Sequence, residues 1–201
     1  MLKYRFIKYF SIFLLPILLA CSSGDNGPTG PSLEDLISEG WTAFELGDYS
    51  SAATKFTEAI SKDQASTEAF LGLGWSLFKS DNLSRANNEF TAGSSKESPT
   101  ADLFAGWAFV LNALKRYANS NQRSENAISQ DPAWQFSHGL SLDVNDLRIV
   151  RAENYFLLGD FANSLVEVRI LNPNFNVDVL TSEGQAALAQ EIERIKGLNK
   201  L

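Results

Sequence analysis

Gly40 to Ile60, GWTAFELGDYSSAATKFTEAI, decides the fold, because much of it returns as Gly74 to Phe90, GWSLFKSDNLSRANNEF. Gly40/Gly74, Trp41/Trp75, Phe44/Phe78, Ala52/Ala86 and Phe56/Phe90 are each 34 positions apart. A fixed period of that length marks a helix-turn-helix unit that cannot bury its apolar face alone and stacks on the next copy. Around the quoted stretch, Leu33, Leu36, Ile37, Gly40, Trp41 and Phe44 recur at helical spacing. Ser32 ahead of Glu34 and Asp35 starts that helix. Gly47-Asp48 ends it and caps a second helix, Tyr49 to about Lys62, whose buried face carries Ala52, Phe56, Ala59 and Ile60.

The pattern resembles the tetratricopeptide family. In that family a small residue, here Gly40 and Gly74, lets the first helix of each unit pack close to its partner. Leu46-Gly47-Asp48-Tyr49 makes the turn, and Ala52, Phe56 and Ala59 face back from the second helix. The resemblance implies an all-α, right-handed solenoid of about four repeats, at about 33–66, 67–100, 101–134 and 145–173. Departures are local: Gln64 stands where the family usually has Pro, Asp81-Asn82 replaces the Gly-Asp turn, and Gly93 replaces an Ala. In the third unit Phe104 matches Phe70, and Ala127, Ile128, Asp131 and Pro132 fit the closing pattern. Ser120 and Ser124, however, take the places of Ala52 and Phe56, so the helix from Tyr117 to Ser129 is polar.

The fourth turn, Leu158-Gly159-Asp160-Phe161, arrives ten residues late. That places an insertion at about 135–144, and Trp134, Phe136, Leu140 and Leu142 make this stretch too apolar for a solvated loop. It is expected to fold onto the solenoid. A capping helix at about 181–197 follows, with Ser182 and Gln185 as a capping box and Gly197 as the stop. Its polar face would close the open end of the stack, although a detachable partner-binding helix is a second reading.

The N-terminus reads differently. Lys3, Arg5 and Lys8 precede an apolar run, Phe10 to Ala20, which is too short to span as an ordinary membrane helix and reads as a secretory signal over 1–20. Leu18-Leu19-Ala20-Cys21 resembles the bacterial lipobox, which implies that Cys21 is lipidated and becomes the anchored N-terminus. A cleaved signal with an incidental cysteine, or an uncleaved anchor, is the alternative. Ser22 to Pro31 has nothing apolar to bury, and 21–31 reads as a flexible tether of roughly 18 Å r.m.s. span. Ser22 rather than Asp after the cysteine resembles outer-membrane sorting; Asp25 would fit a surface-export signal instead.

Composition narrows the function. The chain has 201 residues, 44% hydrophobic, enough for one domain with a sizeable core. Its 17 Lys+Arg against 24 Asp+Glu give a net charge of −7, and loss of the three basic residues of the signal deepens it. An acidic surface repels phosphate backbones, which argues against nucleic acid. His138 is the only histidine and Cys21 the only cysteine, so no Cys-His pair, Ser-His-Asp triad or thiol-imidazole zinc set can be assembled. Asp143-Val144-Asn145-Asp146 lacks the glycine and distal Glu of a calcium loop, and helix capping accounts for it better. The expectation is a non-enzymatic protein without cofactor or metal.

What remains is a surface. The resemblance implies a concave groove lined by Trp41, Phe44 and Glu45; Trp75, Phe78 and Lys79; Phe109, Asn112 and Ala113; and Glu153, Phe156 and Leu157. Trp41, Phe44, Trp75, Phe78 and Phe109 would form an aromatic ladder. Left exposed, it would be an interface of the kind such residues anchor. Covered by the insertion or the last helix, it would be core. Two functions follow: an adaptor, tethered to the membrane through its lipid, that grips a protein or peptide segment of the bacterial envelope, or a carrier of a hydrophobic small molecule or glycan. A peptide groove stays open along its length, whereas a small-molecule pocket is closed at its ends. A structural subunit using the convex face is a third reading.

Overall fold

The computed structural model describes residues 30–199. The signal segment, Cys21 and most of the tether lie outside the described residues. Among the described residues there are nine helices: α1 Leu33–Glu45, α2 Tyr49–Lys62, α3 Thr67–Lys79, α4 Leu83–Ser94, α5 Ala101–Ala113, α6 Tyr117–Gln130, α7 Val144–Leu157, α8 Phe161–Leu171 and α9 Ser182–Asn199. Each helix packs on the next through α8, while α1, α3, α5 and α7 also touch one another in series. The first helices of the units therefore form an inner layer, as a stacked solenoid requires. None of these helices is long and apolar enough to cross a membrane.

Local signals produce these boundaries. Ser32 and Asp35 form a reciprocal capping box, with Ser32 N donating to Asp35 Oδ2 at 2.9 Å and Asp35 N to Ser32 Oγ at 3.0 Å. Asp48 accepts from Ser51 N at 3.0 Å. The Asp143–Asp146 cluster spends its carboxylates in the same way, Asp143 N donating to Asp146 Oδ2 at 2.7 Å. After each first helix the chain turns through a left-handed residue, at Gly47, Asp81, Lys115 and Gly159. The turn geometry thus survives where glycine has been replaced, at a cost in backbone strain.

Packing between units rests on rings set against glycine. Phe56 is fully buried. A Cβ at Gly40 would lie 2.8 Å from its ring, and one at Gly72, on the next unit, would overlap it. Phe90 repeats the arrangement with Gly74 at 2.7 Å and Gly106 at 2.6 Å. One core runs from α1 to α7 and includes Trp134 and Phe136; a second joins α7, α8 and α9 through Ile149, Leu165, Val168, Leu188, Ile192 and Ile195. Helix α9 differs from expectation at both ends. Thr181, not Ser182, caps it, accepting from Gly184 N at 3.0 Å, and Gly197 lies inside the helix, which runs to Asn199. A glycine with open space around it costs a helix only about 0.5–1 kcal/mol, which is not enough to end it.

Gly72→Ala is expected to destabilise the protein by about 1–3 kcal/mol in urea unfolding, because the Phe56 ring is enclosed by the two glycine-bearing helices and has nowhere to retreat. Lys115→Gly is expected to act in the opposite direction. It relieves a φ of 58° and should raise stability by about 0.5–1 kcal/mol in the same assay.

Candidate functional site

The insertion lies on the concave face. Its two arms pair through Phe136 N to Leu142 O and Val144 N to Trp134 O, both 2.9 Å, around an antiparallel bridge between Gln135 and Asp143. In such an extended segment alternate side chains share a face, and here that face carries Trp134, Phe136 and His138. Phe136 meets Trp75 at 4.2 Å between ring centroids, Phe44 at 6.0 Å and Trp41 at 6.2 Å. Trp134 meets Phe109 at 6.4 Å. His138 lies flat on Trp41 at 3.5 Å, with Nδ1 3.3 Å from Glu45 Oε1.

Asp102, in the first turn of α5, fastens this segment. Its Oδ1 accepts from Trp134 Nε1 at 2.5 Å and its Oδ2 from Ser137 Oγ at 3.0 Å. Its carbonyl accepts from Trp75 Nε1 at 3.1 Å. One residue therefore holds an indole of the ladder and an indole of the insertion.

The aromatic ladder is consequently filled from within the chain. Trp41, Phe44, Trp75 and Phe109 retain 6%, 2%, 0% and 7% of their exposure. The two readings left open by the sequence separate here: these four rings are core beneath the insertion. Glu45 stays exposed beside the insertion tip, and Lys79 is exposed over the Tyr49 ring. Phe156 packs on Phe161 at 5.1 Å in the α7–α9 core rather than lining the groove.

The far end of the concave face remains open. Phe78, which stacks on Phe109 at 6.5 Å, bounds a pocket of about 260 Å³ with Phe109, Asn112, Ala113, Ile149, Val150, Glu153 and Lys196. Lys196 Nζ reaches Glu153 Oε1 at 2.7 Å, so α9 supplies one wall. Burial lowers the Lys196 pKa, but the bond to Glu153 with the charges of Glu153 and Glu193 outweighs it, leaving the ammonium above its ordinary range. Leu157 lies exposed one turn beyond Glu153. Sequence reasoning brought Phe78, Asn112 and Glu153 to this place. It missed Ile149, Val150 and Lys196, because no local pattern joins α9 to the groove.

Behind this pocket the polar α6 finds its partners. Ser120 Oγ donates to Ala108 O at 2.8 Å, and Ser164 Oγ repeats this in the next unit with Ala152 O at 2.7 Å. Buried Asn154 donates to Ser120 Oγ and to Asn121 Oδ1, both at 2.9 Å, and accepts from Asn112 Nδ2 at 2.8 Å. Arg151 pairs with Glu125 and, at 2.9 Å, with buried Glu167, which also meets Arg148 at 3.2 Å. Desolvation lowers the Arg151 pKa, but the carboxylates of Glu167 and Glu125 more than offset it, so it stands above its ordinary value. Among the described residues no three His, Cys, Asp or Glu side chains group so as to hold a metal ion.

Solved structures similar to this one include helical repeat proteins. A crystal structure of MamA aligns with a TM-score of 0.59 at 18% identity, over 68% of this chain and 74% of that one. A tetratricopeptide repeat protein from Parabacteroides merdae ATCC 43184 aligns at 0.58 and 16% identity, over 84% and 61%. The APC/C hetero-tetramer Cut9–Hcn1 aligns at 0.59 and 13%, over 81% of this chain and 30% of that one. No protein-family model matches the sequence, and no curated protein matches it. At these identities the likeness establishes the fold: the chain is an all-α tetratricopeptide-like solenoid.

Asp102→Ala leaves the buried Trp134 indole without its acceptor, at a cost of about 1–3 kcal/mol. The insertion should loosen selectively. Amide hydrogen exchange at Phe136 and Val144 is expected to quicken by roughly tenfold or more while α1–α4 stay protected; unchanged exchange at both would show that apolar packing alone holds the segment.

Proposed function

We propose that this protein is a membrane-anchored adaptor or scaffold of the bacterial cell envelope, an outer-membrane lipoprotein held by lipid on Cys21, that engages an envelope protein through the open end of its concave face. The open pocket between Phe78, Asn112, Glu153 and Lys196 carries this reading. Its apolar floor of Phe109, Ile149 and Val150 with a charged rim suits one large apolar side chain of a partner, the kind of anchor on which protein interfaces depend.

Size favours the adaptor over the carrier. Sites for whole small molecules run from about 300 to 1,000 Å³, and this pocket, at about 260 Å³, falls short of that range. The larger aromatic trough that a carrier would need is occupied by Trp134 and Phe136. The fold's general use in protein–protein contacts supports the same class, as does the lipobox-like Leu18-Leu19-Ala20-Cys21 for the anchor.

The test is in-cell photocrosslinking with a photoreactive residue at Phe78 or Glu153, and at Thr57 on the exposed side of α2 as control. One envelope protein captured from both groove positions and not from Thr57 is the expected result; capture equal at all three sites would reject the groove. Separately, Cys21→Ala should accumulate as an unlipidated precursor, and normal lipid labelling of that variant would reject the anchor.

A further inference from the structure

The insertion is fastened at two places that belong to different units. Its base is held on α5, where Asp102 accepts from Trp134 Nε1 at 2.5 Å and from Ser137 Oγ at 3.0 Å. Its tip reaches α1, where the His138 ring lies on the Trp41 indole with 2° between their planes. Between the two, Phe136 sits against Trp75 of α3. Residues 134–138 therefore run as a strap across the inner layer, from the third unit to the first. Gly139 then turns the chain back with φ +72°, close over Glu45, whose Cγ lies 3.3 Å from where a Cβ would stand.

The tip contact differs in kind from the rest of the strap. Trp134 and Phe136 are held by burial, and neither ring changes charge with pH. An imidazole does so in the range of about pH 5 to 8, and His138 is the only histidine in the chain. Its side chain is 21% exposed, so protons reach it from solvent.

The charged groups that face this tip are acidic. On α1, Glu45 Oε1 lies 3.3 Å from His138 Nδ1. On α3, Glu68 Oε1 accepts from Trp41 Nε1 at 2.6 Å, on the same indole that His138 covers. On α5, Asp102 takes the hydroxyl of Ser137, the residue next to it. From Trp134 to Leu142 the strap itself has no ionisable side chain other than His138. Lys79, at the end of α3, stands over the Tyr49 ring instead. An imidazolium at the tip meets the negative face of an indole and a carboxylate together, whereas the neutral ring keeps only stacking and one hydrogen bond.

We propose that His138 makes the insertion a pH-sensitive strap: a proton on its imidazole tightens the tip on Trp41 and Glu45, and loss of that proton lets the tip lift more often from the first unit. Both partners favour the protonated ring, so the added hold is complete near about pH 5 and fades as pH rises toward about 8. Glu45 is half exposed and water screens its share, which leaves the indole face as the larger contributor. Burial of Trp134 and Phe136 keeps the strap seated throughout that range. The proton therefore sets how often the tip opens, not where the strap rests. This device belongs to the closed half of the concave face and is independent of what the open pocket binds.

The test is hydrogen exchange on the full-length protein in detergent, read at the amides of Phe136 and Val144, which bond across to Leu142 and Trp134. Protection is taken relative to the intrinsic exchange rate at each pH, and wild type is compared with His138→Gln and His138→Phe. The Gln variant keeps a planar hydrogen-bonding group and the Phe variant keeps a stacking ring, but neither can take up a proton. The ratio of wild-type to variant protection is expected to be about two- to fivefold larger at about pH 5.5 than at about pH 8, for both variants. Glu45→Gln should retain part of this pH dependence, because Trp41 remains. A ratio that is the same at both pH values would overturn the proposal. Should one variant fail to fold, as judged by its helical circular dichroism, the other decides in the same way.

Discussion

The stack depends on a phenylalanine ring pressed against backbone on two helices at once. Phe56 reaches Gly40 within its own unit and Gly72 in the next, and Phe90 reaches Gly74 and Gly106 in the same way. Because side-chain volume at either glycine would displace the ring, this contact fixes how closely one unit approaches another. The third unit cannot use it. Ser124 stands where Phe56 and Phe90 stand, and the period-equivalent places of the two glycines, allowing for the insertion, carry Ala108 and Val150. Volume has moved from the ring to its neighbours, and specificity has moved from packing to hydrogen bonds. Asn154, Ser120 and the Arg151–Glu125–Glu167 ion pairs hold α6 to α7 and α8 in place of a ring.

That change of joint coincides with the insertion, which Asp102 fastens to the inner layer. Its carboxylate draws the Trp134 indole across the inner layer, and Phe136 follows into the space between Trp75, Trp41 and Phe44. Burying a side chain of that size contributes about 1.5–3 kcal/mol, so Trp134 and Phe136 together hold the segment by several kcal/mol before any hydrogen bond is counted. A partner competing for the ladder would have to displace that much apolar burial. The half of the concave face beyond Phe109 carries no such obstacle.

Much of this was legible in the sequence, and the limits have physical causes. Period, turns and caps are local, so Gly40/Gly74, Gly47-Asp48 and Ser32/Asp35 could be read directly. The apolar content of the insertion said that it must fold down, and Trp134, Phe136 and His138 alternate as one face of an extended segment does. Which surface receives that face depends on Asp102, and an acid in a first turn reads only as a helix-dipole partner. Phe156 stood at a groove position by period, yet α9 packs against α7 and draws that ring into the second core. Lys196 and Glu153 meet across 43 positions, and no pattern of short range joins them. The polarity of α6 was visible, but its partners Ala108 and Asn154 lie on other helices, out of reach of any local pattern.

One residue ties the concave pocket to the joint between α6 and α7. Asn154 accepts from Asn112, which lines the concave pocket, and donates to Asn121 on α6. A buried asparagine with its amide oxygen and nitrogen both engaged has one orientation, because turning it over would set donor against donor. The same amide therefore sets Asn112, at the pocket, against Asn121 on α6, on a helix joint where Ser124 stands in place of a phenylalanine. A ring packed against glycine sets how closely two units approach, whereas this chain of directional hydrogen bonds also sets how the amides at the joint are oriented.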